Sequence, residues 1–448
     1  MAELARPGYT ETNVFESVAA SDRAVTEGCP PLLLSSYTSE VLSQEAPPGR
    51  LPEEGTLASS GSRRALAGFF VSGLLIAFLG AILPSWQHHL SSEYGTVGFY
   101  FVGLIAGILA SVWISPPLIE NKGIGWTLAF ACASAATALL YLAFVSPPYS
   151  PWWRVAGMAL VGCSAGILHT AIFNAISPMY RHDPVATVNL GGMLFGLGCL
   201  TVALLVSGTF YIYSAPTIQV WIAIIPALFG WMYVRTRFTA QPAAHAPSPH
   251  AVLTELRSPG AVLFSMVLFF QFGNEWAIAG WLPLFLSQRL GMSPETSLGM
   301  LALYWFALLI GRIVAQWMMS RVKHSRMLIM SVLSAMFGCI VLIETDNRFG
   351  ATAGVLLLGG SFAPIYPLVV ERIGHRFPSY HPGFYNGLFS FAIAGGMLAP
   401  CTLGYFASLW GIWVVMGLPL IGSAMVFLLL TLVWLEARFN TAAKIPSA

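Results

Sequence analysis

Residues 269–281 read Phe-Phe-Gln-Phe-Gly-Asn-Glu-Trp-Ala-Ile-Ala-Gly-Trp, an apolar run with one acid, Glu275, at its centre. Two hundred residues earlier stand Phe69, Phe70, Gly73, Ala77 and Gly80, the counterparts of Phe269, Phe270, Gly273, Ala277 and Gly280. Two more pairs of segments repeat at an offset of 197: Gly162 and Ser164 with Gly359 and Ser361, and Asn189 and Gly198 with Asn386 and Gly395. One matched glycine means little, but offsets shared by several segments point to a tandem repeat of the whole chain. A parallel repeat of membrane spans is the mark of a two-bundle, alternating-access architecture.

Composition agrees. Asp, Glu, Lys and Arg make up 9% of the 448 residues, against about 25% in a soluble domain. Apolar residues reach 56%. This excludes an ordinary soluble enzyme, a disulfide scaffold and a disordered chain. A span needs about 20 apolar residues. Runs of that kind lie at about 65–88, 96–118, 125–146, 153–178, 187–211, 217–234, 260–287, 296–319, 327–344, 351–372, 384–408 and 412–435. The predicted fold is an all-α membrane protein, twelve transmembrane helices in two six-helix bundles related by a parallel pseudo-two-fold axis. The expected divisions are a disordered tail at 1–64, a bundle at 65–235, a linker at 236–259, a second bundle at 260–436 and a short tail at 437–448.

Charge orients these spans. With the tail and every second loop on one face, that face receives all Lys and Arg except Arg289 and Arg348 opposite, and Arg154 and Arg312 within spans. Positive loops stay inside, so both termini are expected in the cytoplasm of a plasma or inner-membrane protein. A net charge of +2 suggests no nucleic-acid partner. The six scattered cysteines show no metal or redox spacing, and no cofactor is implied.

Glu275 is the candidate centre. Acids are rare inside spans because an ionisable group at a helix centre costs about 2.5–3.5 kcal/mol, so such a group faces protein or water and marks function. At 100° per residue Gln271, Asn274, Glu275, Ile278 and Trp281 fall within about 120° of one another, a polar and aromatic stripe. In the fourth run Gly162, Gly166, Thr170 and Asn174 share a face with His169 beside them. The eighth run sets Trp305, Arg312 and Gln316 on one face next to Tyr304. The first carries Gln87 and the tenth Tyr366 between Pro364 and Pro367. Asn174, Gln271, Asn274 and Trp281 are expected to line one cavity. Each aromatic can equally be packing or part of the interfacial belt, and each glycine a close helix contact.

These segments resemble the major facilitator superfamily. Gly311-Arg312 followed by Ser320-Arg321-Val-Lys-His-Ser-Arg326 resembles its loop signature, with Ser320 where the family has Asp. The loop from Pro116 to Gly125, with Glu120, is a weaker copy. Gln271 to Trp281 is similar to the seventh helix of the fucose–glucose–galactose proton symporter group. Asn189 with Phe195 to Gly198, Ala363 to Pro367, and Gly395-Gly396 with Pro400 resemble that group's fifth, tenth and eleventh helices. Arg154 resembles the superfamily's fourth-helix arginine. The first run lacks the acid that the fucose carrier uses. The resemblance implies a gating role for Glu120, Arg154, Arg312, Arg321 and Arg326, and a binding or proton role for the candidates above, with Asn189 and Asn386.

The expected function is therefore secondary active transport of a small polar solute, with a sugar as the candidate, coupled to protons, by a monomer in the lipid bilayer. The competing reading is a transporter-like receptor or scaffold without flux. The chain is not expected to be an enzyme: Glu275 stands without the paired groups that catalysis within spans would need.

Overall fold

The computed structural model describes residues 61–90, 93–182, 184–238, 258–319, 321–377 and 382–442. The expectations for most of the tail, for most of the linker and for the last residues lie outside the described residues, as does Ser320.

Among the described residues, twelve helices are long and apolar enough to cross a membrane. They are α1 Gly61–Trp86, α2 Tyr94–Lys122, α3 Ile124–Phe144, α4 Pro151–His182, α5 Pro184–Thr209 and α6 Ala215–Val234 in the first half. The second half holds α7 Pro259–Leu290, α8 Pro294–Met319, α9 His324–Glu344, α10 Arg348–Arg376, α11 Pro382–Trp410 and α12 Val414–Ala442. Local chemistry sets the ends. Ser258 caps α7, its Oγ accepting from the Ala261 N–H at 3.4 Å, and Pro259 fills the first helical position. Asn347 caps α10 by accepting from the Gly350 N–H at 2.8 Å. Gly123 alone separates α2 from α3, at φ +85°, where a side chain would be strained. α10 breaks at Ala363–Pro364 and resumes at Ile365.

The first helix starts earlier than the 1–64 tail predicts. Residues 61–64 are already helical: the Ser62 hydroxyl donates to the Ala175 carbonyl at 2.8 Å, and Arg64 Nη1 donates to Thr236 Oγ1 at 3.2 Å. Tertiary bonds to α4 and to the end of α6 extend the helix through polar residues that carry no apolar signal.

Between helices in lipid there is no hydrophobic driving force, so small residues and hydrogen bonds hold them together. The repeat is built from these contacts. Gly162 of α4 faces the Leu104 carbonyl of α2, and Gly359 of α10 faces the Tyr304 carbonyl of α8. Gly198 of α5 abuts the Phe70 carbonyl of α1, and Gly395 of α11 that of Phe269 in α7. Ser164 bonds Ser134 at 2.8 Å, and Ser361 bonds Ser334 at 2.8 Å. Equivalent residues thus make equivalent contacts in both halves.

Every third helix lies inside. Of the most apolar stretch, 83% is buried in α1 and 61% in each of α4, α7 and α10, against 39–56% in the other eight. At the face where the chain enters α1, the tail face, three helices end on a stacked pair. Arg235 lies 4.2 Å from the Trp231 ring centroid, Arg321 3.7 Å from that of Trp317, and Arg438 4.1 Å from that of Trp434.

The two bundles meet mainly at the opposite, far end. Gly80 of α1 lies against Ala279 and Gly280 of α7, and Gly98 of α2 against Gly404 of α11. Tyr94 donates to Gln288 Oε1 at 2.7 Å, and Gln288 Nε2 donates to the His88 carbonyl at 3.3 Å. Ser207 of α5 donates to the Glu295 carbonyl of α8 at 3.2 Å. Deeper in, Phe195 of α5 meets Trp276 of α7 with ring centroids 5.7 Å apart.

Candidate functional site

Glu275 is buried, 8% exposed, halfway along α7. Gln271, one turn before it, donates from Nε2 to Glu275 Oε1 at 2.9 Å. The charged group that acts on it is Arg312 of α8, yet the two form no ion pair within 4.0 Å. Arg312 instead donates from Nη1 to the Gly192 carbonyl of α5 at 2.7 Å, and its Nε has no protein partner. A guanidinium of the second bundle thus holds a carbonyl of the first, within electrostatic reach of the Glu275 carboxyl group. Gly192 has no side chain in the way: a Cβ there would stand 2.9 Å from Arg312 Nη1.

Aromatic rings cover this spot. Trp276 and Trp305 meet at 6.1 Å, Tyr304 and Trp305 at 5.3 Å, and Phe195 closes on Trp276 from the first bundle. Trp305 is buried and its indole N–H has no protein partner. Tyr304 makes a long contact, 3.5 Å, to the Glu275 carbonyl. Tyr366 of α10 packs edge-on against Phe272 at 5.3 Å.

The structure divides the α7 stripe. Gln271 and Glu275 stay together. Asn274 turns to α12, donating to Ser423 Oγ at 3.3 Å beside Gly422. Trp281 turns to α11 and α2, donating to the Pro400 carbonyl at 2.9 Å and stacking on Phe101 at 6.0 Å. Both are buried, and their side-chain bonds run to α12 and α11. The physical reason is that a central helix is ringed by neighbours, and 120° of its surface spans more than one of them.

The α4 candidates behave as helix groups. Thr170 donates to the Gly166 carbonyl at 3.0 Å and Asn174 to the Thr170 carbonyl at 2.9 Å, with Asn174 exposed. His169 bonds Ser72 at 3.1 Å and packs against Phe69 and Phe173. Gly162 and Gly166 face α2, the packing use of glycine. Asn189 is half-buried near the start of α5, and the side chain of Asn386 lies outside the described residues. Gln87 is exposed at the far face with φ +66°.

Of the resemblance-based gating residues, Glu120, Arg321 and Arg326 are exposed and join no ion pair within 4.0 Å among the described residues. Arg154 lies in the first turn of α4, at the far face, buried among Trp86, Tyr100 and His88. Arg312 bridges the bundles. Sequence reasoning missed Trp276 and Phe195. Trp276 lies about 100° round the helix from Glu275; the signal was its adjacency to the acid.

Residues 186–400 match the family model described as Major Facilitator Superfamily. Over that stretch, just under half of its length, the chain is similar to the major facilitator superfamily. It is 21% identical over 355 residues to the glucose/mannose transporter of Bacillus subtilis, covering 76% of this chain and 86% of that one. A solved nucleoside transporter superposes with a TM-score of 0.63 at 13% identity, covering 83% of this chain and 98% of that one. The E. coli fucose:proton symporter superposes with a TM-score of 0.56 at 17% identity, covering 84% and 99%. The fold and the homologues are those of transporters, not enzymes.

Proposed function

We propose that this superfamily transporter moves a small polar solute of the sugar class, coupled to protons through Glu275. The carrying observation is a carboxyl group buried halfway along α7, bonded by Gln271 and influenced by the Arg312 charge without pairing to it. Protonated, Glu275 sits neutral beside the amide. Ionised, it attracts Arg312 away from the Gly192 carbonyl, so proton loss loosens a bond between the bundles. Phe195, Trp276 and Trp305 supply the flat apolar faces, and Gln271 with the Trp305 N–H the polar groups, that a sugar-sized site combines. The glucose/mannose transporter supports the solute class.

In this reading the protein works as a monomer in the plasma membrane, with both termini cytoplasmic and residues 236–259 linking the bundles. The far-end contacts are then the closed extracellular gate, and the conformation faces inward.

The test is uptake into proteoliposomes under an imposed pH gradient, with glucose and a nucleoside as alternative solutes. Glu275→Gln copies the protonated form, so folding should persist, proton-driven accumulation should cease, and solute exchange should continue. Gradient-dependent accumulation by that variant equal to wild type would remove the coupling role. Accumulation of the nucleoside but not glucose would replace the solute class. A receptor without flux would show uptake of neither.

A further inference from the structure

The far end of the first bundle holds a buried cation that no acid among the described residues pairs with. Arg154 is 5% exposed and sits in the first turn of α4, where the helix dipole is positive and no acidic residue stands. Among the described residues it makes no ion pair within 4.0 Å. Its Nε donates to the Tyr100 hydroxyl at 2.9 Å, and its Cζ lies 5.5 Å from the Trp86 ring centroid and 5.7 Å from that of Tyr100. Glu93, whose charge reaches Tyr100, is exposed and does not pair with the arginine.

Three nitrogens in this cage lack a protein partner: Arg154 Nη1, Trp86 Nε1 and His88 Nε2. All three residues are more than nine-tenths buried. They surround one ring, since Trp86 meets Tyr100 at 5.4 Å and His88 meets it at 5.5 Å. Guanidinium and indole nitrogens only donate, and a neutral imidazole donates from one nitrogen. Donors without acceptors beside an uncompensated positive charge are the chemistry of an anion site. The atoms are shut from solvent, which excludes a bulky organic anion and leaves a small monovalent ion as the candidate.

We propose that Arg154, Trp86 and His88 bind a small inorganic anion, chloride in the cell, inside the far end of the first bundle. The site is independent of the solute site at Glu275. It braces the turn after α1 that the second bundle grips, because Gln288 of α7 bonds the His88 carbonyl and Tyr94. The anion therefore supports the far-end closure.

The experiment is thermal unfolding of the purified full chain in sodium chloride against sodium gluconate at equal ionic strength. Wild type should show saturable stabilisation by chloride, with bromide substituting. Trp86→Phe keeps an aromatic face and removes the N–H, so the chloride midpoint should rise about tenfold, the effect of one bond to a charged group, on top of a loss of stability common to both salts from the smaller buried ring. His88→Gln, with an amide in place of the imidazole, serves as the second variant. Equal wild-type stability in the two salts would overturn the site, and so would a chloride midpoint unchanged in both variants.

Discussion

Gly80→Leu is the sharpest test of the conformational reading. A Cβ at Gly80 meets the Ala279 carbonyl oxygen and, at 3.1 Å, the Gly280 Cα, all backbone of the opposite bundle. Backbone cannot swivel aside as a flexible side chain can. Overpacking of this kind costs about 1–3 kcal/mol. Here the cost falls on one conformation only, because the contact exists only while the far ends touch. The equilibrium should shift toward the far-open form by about 5- to 150-fold. Cys401 reads this out, since its carbonyl lies in the seam facing Gly98 and its thiol is half-buried. In a chain retaining only that cysteine, its maleimide labelling rate should rise by a similar factor in Gly80→Leu, with the protein still folded. Gly162→Leu is the control. It strikes the Leu104 carbonyl within its own bundle, so it should lower stability rather than speed labelling. An unchanged labelling rate in folded Gly80→Leu would refute the reasoning that these contacts form a gate.

Two smaller predictions follow from individual side chains. Asn274→Ala removes a bond to Ser423 and should cost about 1 kcal/mol in unfolding assays while leaving uptake intact, whereas Gln271→Ala should change the pH dependence of uptake. His88 lies beyond the end of α1, and burial first, then the Arg154 charge, then His89, push its pKa down to about 4 from 6.5. The unfolded chain then binds the extra proton between these values, so stability should fall as pH drops from 6.5 to 4, by up to about 3 kcal/mol. His88→Gln should flatten that slope in melts taken across the range, and an identical slope would exclude His88 as the cause.

The spans and the repeat were readable because each has a dense local signature. Apolar length marks a helix, and Gly162 with Gly359 or Ser164 with Ser361 are read by spacing alone. Their structural meaning, identical contacts to Leu104 and Tyr304 or to Ser134 and Ser334, needed the packing. Glu275 was readable because a mid-span acid is expensive. Its surroundings were not: helical angles place Asn274 and Gln271 on one stripe, but only the positions of α8, α11 and α12 decide which edge meets which neighbour. Arg154 shows a similar gap. Its resemblance suggested gating, while its aromatic cage depends on Trp86 at the end of α1, His88 just beyond it and Tyr100 of α2, residues that no local pattern joins to α4.

The stacked pairs Trp231 with Arg235, Trp317 with Arg321, and Trp434 with Arg438 bear on how such a carrier can move. One belongs to the first bundle and two to the second, and all end helices at the same face. An indole rests at the headgroup boundary while its guanidinium reaches the phosphates. If one bundle slid along the membrane normal past the other, an elevator stroke, it would drag its arginines toward the hydrocarbon, at about 2.5–3.5 kcal/mol for each one carried to the centre. Tilting about an axis near that leaflet leaves all three at their depth. The collar therefore holds both bundles level with one another and leaves rocking as the motion of low cost.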